Sequence, residues 1–374
     1  MTRRGTLQIA AVLGLLAGPA PATAAELRVA GPAETVFDWS RDRCARWDSP
    51  DTPARAWRGA DGRVRLVAGA EESRASLGPG LDALTHACGI LYRGSGADDP
   101  AALDDRVWIH AVHAAADGRV IALGHAEYHG HLRRDRCPVG GYLDCWVNGI
   151  VELVSEDGGA SFRREGPPVA APAPGPSGGS GGGRRGYFNP SNIVARDGFL
   201  SAFVFAEAEG AQARGPCLIR RPEAGSAADW RAWDGTGFSV RLVDGTPCQP
   251  VAGIPSTISS VVWQAPDGPW LAVTPAVRRD AAGVERSGIW WSRSPDLLHW
   301  EVPRLLLEAP LFWRRDCGAG VAHAYPSLLD PDSADPDFAT VDGAFWLYLV
   351  QARLGPDCRL GPDRDLLRIP LRRE

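Results

Sequence analysis

A short stretch of the sequence concentrates side chains that can do acid–base chemistry or bind a metal ion. Positions 125–131 read His-Ala-Glu-Tyr-His-Gly-His, and six of the eight histidines in the chain fall between positions 86 and 131. Alternate residues of an extended strand share one face, so we expect His125, Glu127, His129 and His131 to line up together. Four polar side chains on one face are not typical of a packed core, and the cluster is therefore a candidate site.

Three interpretations of this cluster stay open. Glu127 can be a general acid whose pKa is raised by burial and by a nearby carboxylate. His125, Glu127 and His129 can instead bind a divalent metal, since imidazole and carboxylate both suit zinc and similar ions. The third interpretation is a solvated strand end held by a hydrogen-bonded network. Apart from this metal, no cofactor is expected.

The elements that position these residues are predicted by an internal repeat. Five segments each contain a β-prone run, an Asp-Gly turn and a second apolar run, with the turns at 61–62, 117–118, 197–198, 267–268 and 342–343. Asp-Gly between β-prone runs is a strong hairpin signal, because glycine accepts a positive φ. Recurrence at regular intervals favours radial repetition. We therefore predict an all-β fold, a five-bladed β-propeller with four-stranded antiparallel blades.

Two further turns carry a second signature. Residues 155–162 match the Asp-box pattern S-x-D-x-G-x-[ST]-[FW], and residues 294–300 are a looser relative. The aspartate of such a turn caps backbone amides and the aromatic side chain packs beneath it. We expect both turns to be structural.

The N-terminus and the cysteines both indicate export. Arg3 and Arg4 precede a short apolar run that ends in small residues, which predicts a signal peptide over 1–25. The eight cysteines allow many connectivities, and the repeats favour pairing of sequence neighbours. The predicted disulfides are Cys44–Cys88, Cys137–Cys145, Cys217–Cys248 and Cys317–Cys358. The protein is expected to be secreted or periplasmic.

Composition limits the partners and the domain count. The net charge is −5 and the charges are interspersed, so neither a nucleic-acid partner nor a membrane-binding basic arm is expected. The repeat pattern continues across the Gly-, Pro- and Ser-rich segment 167–186, which we interpret as a flexible loop. Residues 26–374 are therefore predicted to be one domain, and the protein a monomer.

Several segments resemble the five-bladed glycosidase-like propellers that include glycoside hydrolase families 43, 32, 117 and 130. The resemblance covers nearly the whole mature chain and does not assign an individual family. It is carried by the motifs Asp-Thr-Pro-Ala-Arg-Ala at 51–56, Asn-Pro-Ser-Asn at 189–192, the segment 292–300 and Tyr-Pro-Ser-Leu-Leu at 325–329.

The resemblance implies an axial funnel that binds sugar, with a catalytic aspartate opening the first blade. Asp51 matches that position as base or nucleophile, and Glu127 is the candidate proton donor or electrostatic support. The third blade offers no acid where the family has one. The candidate substrate-binding residues are Arg55, His110, His125, His129, Asn189, Asn192 and Tyr325.

Two functions from different classes follow. The leading prediction is a carbohydrate-active protein, a glycoside hydrolase-like enzyme that acts on a glycan in the funnel. The alternative is a noncatalytic propeller that binds a glycan or a protein partner, which the missing third-blade acid favours. Arg55 has its own alternative, an ion pair with a structural acid, and the two asparagines can instead shape the strand entry beside Pro190.

Overall fold

The computed structural model describes residues 26–133, 135, 137, 141–172, 184–280 and 282–373. The signal peptide predicted over 1–25 lies outside the described residues. In this part of the chain, no helix has both the length and the apolar character needed to cross a membrane. The described chain is almost entirely β-structure, as predicted.

The chain begins with two short strands, a single helical turn and a first sheet. Strands β1 (Leu27–Val29) and β2 (Glu34–Phe37) precede helix α1 (Trp39–Asp42), which is capped by the Asp38 side chain. A four-stranded antiparallel sheet follows in chain order, made of β3 (Arg55–Arg58), β4 (Val64–Val67), β5 (Ala75–Gly78) and β6 (Thr85–His86).

A ten-stranded sheet occupies the middle of the chain. Its strands are β7 (Arg106–Ala114), β8 (Val120–His129), β9 (Trp146–Ser155), β10 (Arg163–Ala170), β11 (Arg184–Phe188), β12 (Val194–Arg196), β13 (Phe199–Ala206), β14 (Gly215–Pro222), β15 (Arg231–Trp233) and β16 (Phe238–Val240). Strand β11 joins its two halves, because it pairs in parallel with β9 and antiparallel with β13.

The last two sheets contain five strands each. The remaining strands are β17 (Ser260–Gln264), β18 (Trp270–Arg279), β19 (Glu285–Ser294), β20 (Arg304–Glu308), β21 (Val321–Leu329), β22 (Thr340–Val341), β23 (Ala344–Leu354) and β24 (Leu360–Arg373). One sheet has the order β20-β19-β18-β17-β22. The other has the order β1-β24-β23-β21, and β2 also pairs with β24. Four short 3-10 turns lie at Pro100–Ala102, Gly130–Leu132, Ala227–Asp229 and Cys317–Ala319.

Most of the predicted Asp-Gly turns are hairpins. They connect β3 to β4, β7 to β8, β12 to β13 and β17 to β18, all antiparallel pairs. Asp197 and Gly198 both have positive φ, 53° and 76°, as a two-residue turn of this kind requires. The fifth turn differs, because it lies between β22, which pairs with β17, and β23, which pairs with β21. The longer connection of the fifth repeat thus contains a strand, β22, that belongs to the neighbouring sheet.

Both ends of the segment predicted as a flexible loop, 167–186, are hydrogen-bonded strand, because β10 continues to Ala170 and β11 begins at Arg184. Residues 173–183 lie outside the described residues. The boundaries predicted from composition were therefore too wide.

Buried apolar side chains of the described residues form five clusters, each between successive groups of strands. The clusters join β3–β5 to β7–β9, then β8–β10 to β11–β16, then β12–β14 to β17 and β18, then β17–β19 to β21–β24. The fifth cluster closes the cycle, since it packs Ala56 and Leu66 against Tyr348 and Val350. The core is thus distributed around a ring.

The predicted disulfide pairing is confirmed. Cys44 is bonded to Cys88, Cys137 to Cys145, Cys217 to Cys248 and Cys317 to Cys358. The turn at 155–162 is held by the Asp157 side chain, which accepts hydrogen bonds from the backbone amides of Ala160 and Ser161. Phe162 is buried beneath this turn.

Candidate active site

Most of the predicted site residues line one cavity of about 710 Å³. Strands β7 and β8 supply one wall, the segment before β3 and the start of β21 supply another, and β24 reaches in from the last sheet. The predicted residues that meet here are Asp51, His110, His125, Glu127, His129, Asn189 and Tyr325.

Asp51 lies in a cationic and hydroxyl-rich corner of the cavity. Its carboxylate accepts hydrogen bonds from the Arg364 guanidinium and from the Tyr325 hydroxyl. Burial raises the pKa of Asp51, and the negative charge of Glu127 adds to this, whereas Arg364 and Tyr325 oppose it. The Asp51 carboxyl is therefore anchored by two hydrogen-bond donors and has a raised pKa.

Glu127 has the opposite electrostatic surroundings. His129 Nε2 donates to Glu127 Oε2 at 2.7 Å, and His125 Nδ1 lies 3.5 Å from Oε1. Burial alone would raise the pKa of Glu127, but the two imidazoles outweigh it and the pKa is lowered. A lowered pKa is the direction that suits electrostatic support, one of the two roles predicted for Glu127, and its role as proton donor stays a prediction.

Of the four polar residues predicted to alternate on one face of β8, three do so. His125, Glu127 and His129 all face the cavity, whereas His131 does not line it. Strand β8 ends at His129 and residues 130–132 form a 3-10 turn, so the two-residue period stops before His131. The prediction of four aligned side chains is wrong at this last position.

Two histidines lie at the buried end of the cavity. The Nδ2 amide of Asn148 donates to the Arg185 carbonyl, so Oδ1 is free to accept a hydrogen bond from His125 Nε2 at 3.1 Å. His110 is 2% exposed and hydrogen-bonds to the backbone carbonyl of Pro190. Burial lowers the pKa of both imidazoles, most strongly for His110, so both are neutral at physiological pH.

Arg55 and Asn192 are corrections to the predicted site, because neither lines the cavity. The Arg55 guanidinium donates to the carbonyls of His110 (2.7 Å) and Ser259 (2.6 Å) and to Ser327 Oγ (3.0 Å). Asn192 exchanges two hydrogen bonds, each 2.7 Å long, with the backbone of Val261. The polar groups of both residues thus hydrogen-bond to neighbouring strands. The alternative predicted for Arg55 was an ion pair with a structural acid, but its partners here are carbonyls and a hydroxyl.

Asn189 and Tyr325 share an unusual backbone conformation in the cavity lining. Both have positive φ, 49° and 58°, and each precedes a proline. Left-handed backbone at residues other than glycine carries strain and is found preferentially at functional sites. Asn189 occupies the place where the family resemblance implies an acid, so the site lacks that carboxylate.

The cavity lining contains as many positively as negatively charged Arg, Asp and Glu side chains. Arg106 pairs with Glu71 at 3.3 Å, and Arg184 pairs with Glu207 at 3.3 Å. Equal numbers of carboxylates and guanidinium groups line the cavity, namely Asp51, Glu71 and Glu127 against Arg106, Arg184 and Arg364. Such a lining favours a neutral polar ligand over a strongly charged one.

The metal site predicted at His125, Glu127 and His129 stays a prediction. The ligand atoms of these three residues do not all lie within 4.8 Å of one another. The described group that meets this spacing is Cys44, Asp48 and His86. Cys44 is consumed by its disulfide and His86 hydrogen-bonds to Asp48, so that group is structural as well.

Sequence reasoning missed the aromatic rim of the cavity and Arg364. Trp47, Trp313 and Tyr142 are 61%, 59% and 65% exposed and all line the cavity. They come from three irregular segments between strands, where no periodic pattern marks them. Arg364 lies in β24, which contains several arginines, and the sequence does not show which of them faces the cavity. The pairing of β24 with β23 turns Arg364 towards Asp51.

Solved structures of several glycoside hydrolases are similar to this chain. A thermostable family-43 glycoside hydrolase is 10% identical, with 88% of this chain and 91% of that chain covered and a TM-score of 0.48. The α-L-arabinanase of Penicillium chrysogenum, complexed with arabinobiose, is 12% identical, with coverages of 93% and 98% and a TM-score of 0.47. The catalytic domain of the GH62 α-L-arabinofuranosidase of Coprinopsis cinerea is 11% identical, with coverages of 93% and 97% and a TM-score of 0.47.

No protein-family model matches the chain, and no curated protein matches its sequence. These similarities lie at low identity, and no single family within the group is assigned.

Proposed function

We propose that the protein is carbohydrate-active and hydrolyses a glycosidic bond in this cavity. The observation that carries the proposal is that Asp51, in the segment before β3, and Glu127, in β8, line one cavity and have pKa values shifted in opposite directions. Glycoside cleavage uses two groups across the scissile bond, and sites of this kind divide the roles between carboxylates by environment. Asp51 is the base or nucleophile, and Glu127 supports the charge that develops.

The aromatic rim supports a sugar as ligand. Trp47, Trp313 and Tyr142 present large exposed rings around the opening, and Trp108 and Trp146 line the interior. Aromatic faces pack against the apolar faces of sugar rings, while a few polar groups fix the orientation. The balanced charge of the lining is consistent with neutral sugar residues.

The experiment is a glycan hydrolysis screen with the full mature chain and Asp51→Asn. We expect the wild type to cleave at least one glycan and Asp51→Asn to be about 10²–10⁴-fold slower. Asp117→Asn, at the exposed tip of the β7–β8 hairpin, is the matched control and should retain full activity. Equal rates for Asp51→Asn and the wild type would remove Asp51 from the mechanism.

A second candidate function is glycan binding without hydrolysis, and Asn189 is the observation that favours it. Asn189 lies where the resemblance implies a third acid, while the aromatic residues of the lining can bind a sugar unaided. Calorimetry separates the two candidates: this function requires a glycan that binds the wild type and is recovered uncleaved after long incubation.

We propose that the fold has five blades, with the ten-stranded sheet contributing two of them through β11. Five apolar clusters around a closed cycle support this count, because five blades have five interfaces. We further propose that the protein is exported, since four disulfides persist only in an oxidising compartment. A monomeric state and the absence of a nucleic-acid or membrane partner remain predictions.

A further inference from the structure

We propose that the ligand of this cavity is a chain of several neutral sugar units, and that Tyr142 binds a unit next to the one held at Asp51 and Glu127. The proposal rests on the carbohydrate-directed function proposed above and names the class of its ligand. It makes Tyr142 the residue that selects a chain over a single sugar.

Exposed aromatic side chains concentrate at the mouth of the cavity. Within the part of the chain that the structure describes, every exposed Trp, Tyr or Phe side chain lines it, namely Trp47, Tyr142 and Trp313. The exposed Leu143 lines it as well. An apolar patch of this kind on a soluble protein marks a surface that binds a ligand or a partner. The mouth is therefore part of the binding surface and not only its entrance.

Tyr142 is presented by a turn that is fixed in two ways. Residues 141–144 form a β-turn, in which the Asp144 amide donates to the Gly141 carbonyl at 2.9 Å and the Gly141 amide donates to Asp144 Oδ2 at 2.8 Å. Tyr142 and Leu143 occupy its two central positions. The next residue, Cys145, is bonded to Cys137. A ring presented on a fixed turn loses little conformational entropy when a ligand binds.

The Tyr142 hydroxyl lies within electrostatic reach of the two candidate catalytic carboxylates. Burial raises the pKa of this hydroxyl, and the negative charges of Glu127 and Asp51 raise it further. The residue as a whole is nevertheless 65% exposed. An exposed ring this close to both carboxylates is positioned to contact the sugar unit that adjoins the reacting one.

Trp146 supplies a second, independent observation that points to a ligand. Its ring meets the Tyr142 ring edge-on, with the ring centres 5.1 Å apart. Trp146 is 7% exposed and lines the cavity, and its Nε1–H has no hydrogen-bond partner among the described residues. Buried donors are normally paired, and a sugar hydroxyl is an acceptor that suits this one. An aromatic face combined with a placed donor is typical of a small-molecule site.

The aromatic wall continues from the mouth into the cavity. The Trp146 ring centre lies 4.4 Å from that of His129, which in turn stacks on Trp108 at 6.4 Å. All three residues line the cavity together with Tyr142. A concave strip of rings suits a slender chain of sugar units, whereas a protein partner needs a broad surface of roughly 800 Å² on each side. The strip therefore favours a glycan chain as its occupant.

The test compares the affinities for one sugar unit and for a chain. Affinity electrophoresis in xylan, arabinan, mannan, dextran and starch first identifies the polymer that retains the protein most strongly. Calorimetry on the full chain carrying Asp51→Asn then gives Kd for the monosaccharide and the hexasaccharide of that polymer. We expect the further change Tyr142→Ala to weaken binding of the hexasaccharide about tenfold and to leave the monosaccharide within twofold. Tyr142→Phe, which keeps the ring, should restore most of the affinity for the hexasaccharide.

The matched control is Val302→Ala, which shortens an exposed apolar side chain outside the lining and should leave both Kd values unchanged. Equal losses of Tyr142→Ala on the two ligands, or no loss on the hexasaccharide, would overturn the assignment while leaving hydrolysis intact. A wild type that binds the hexasaccharide and never cleaves it would instead overturn hydrolysis, while the assignment is decided by the affinities. Retention by none of the five polymers would overturn both.

Discussion

At the scale of single residues, the electrostatics of the cavity depend on which cation faces which carboxylate. Arg364 lowers the pKa of Asp51 and Glu127 raises it, and burial is the largest influence on both carboxyls. The two carboxylates are thus coupled, and a change at one neighbour must appear in the titration of Asp51.

We predict that Arg364→Gln raises the pKa of Asp51 further, because the cation that stabilises its charged form is lost. The acid limb of the kcat/KM profile should move to higher pH, by about one unit or more. Carbon-13 NMR titration of the Asp51 carboxyl measures the shift directly. Arg359→Gln, an exposed arginine that pairs with Asp357, is the control and should leave the titration unchanged.

Glu127→Gln is expected to move the same titration the other way. Removal of the negative charge that raises the pKa of Asp51 should lower that pKa and shift the acid limb to lower pH. Shifts of the two variants in the same direction would contradict the coupling.

At the scale of elements, the connection between β8 and β9 carries part of the rim. Tyr142 and Leu143 lie inside the loop closed by Cys137 and Cys145, and both line the cavity. The Tyr142 ring packs against Trp146 at the start of β9. The disulfide is the covalent tie nearest to this part of the rim.

We predict that the double change Cys137→Ser and Cys145→Ser raises KM several-fold and leaves kcat within twofold, because it loosens the rim and not the acid–base groups. Steady-state kinetics on the cleaved glycan measure both constants. The double change Cys317→Ser and Cys358→Ser removes a disulfide whose cysteines lie outside the lining and should leave KM unchanged. A fall in kcat alone would contradict this role.

Another contact between elements responds to pH. His113 of β7 hydrogen-bonds to Asp337 through Nδ1 at 2.5 Å, and Glu223 at the end of β14 lies 3.9 Å from its Nε2. Burial would lower the pKa of His113, but Asp337, Glu223 and Asp335 raise it overall. This stabilisation is complete below the unfolded pKa of about 6.5 and is lost as the pH rises through the folded pKa.

We predict that His113→Gln costs more free energy of unfolding at pH 5.5 than at pH 9, by about 1 kcal/mol. Urea unfolding of the variant and the wild type at both pH values gives the difference. Equal costs for His113→Gln at the two pH values would show that the pair is not charged.

Local patterns predicted most of the elements, because an Asp-Gly turn and its flanking strands are specified within about ten residues. The alternation along β8 also placed Glu127 and His129 on one face, and the family resemblance added Asp51 to the site. Local patterns failed at residues whose orientation depends on tertiary strand pairing. The register of β24 turns Arg364 inwards, the 3-10 turn removes His131, and close approach of strands engages Arg55 with backbone carbonyls.

At the scale of the whole molecule, Arg55 joins distant parts of the ring. Its donors reach the backbone of β7, the residue before β17 and a side chain of β21. Burial lowers the pKa of its guanidinium to about 9, so the carbonyl and hydroxyl oxygens must offset the lost hydration.

We predict that Arg55→Lys lowers the free energy of unfolding by about 2–4 kcal/mol, because one ammonium cannot reach three separated acceptors and leaves buried carbonyls unpaired. Urea denaturation measures the change. Arg63→Lys, in the exposed part of the same hairpin, should be within 0.5 kcal/mol of the wild type, about the usual size of surface changes. If Arg55→Lys also lowered the free energy of unfolding by less than 0.5 kcal/mol, Arg55 would not stabilise the ring by joining these three strands.

The strand pairing that joins the two ends of the described chain sets an order of assembly. Strand β1 pairs with β24 from Leu27↔Arg373 to Val29↔Leu371, and β2 pairs with β24 as well. During synthesis β1 and β2 must therefore stay unpaired until β24 has been made. Until then β23 has an open edge and the cluster around Tyr348 is incomplete, so the nascent protein is most exposed to aggregation just before β24 is made.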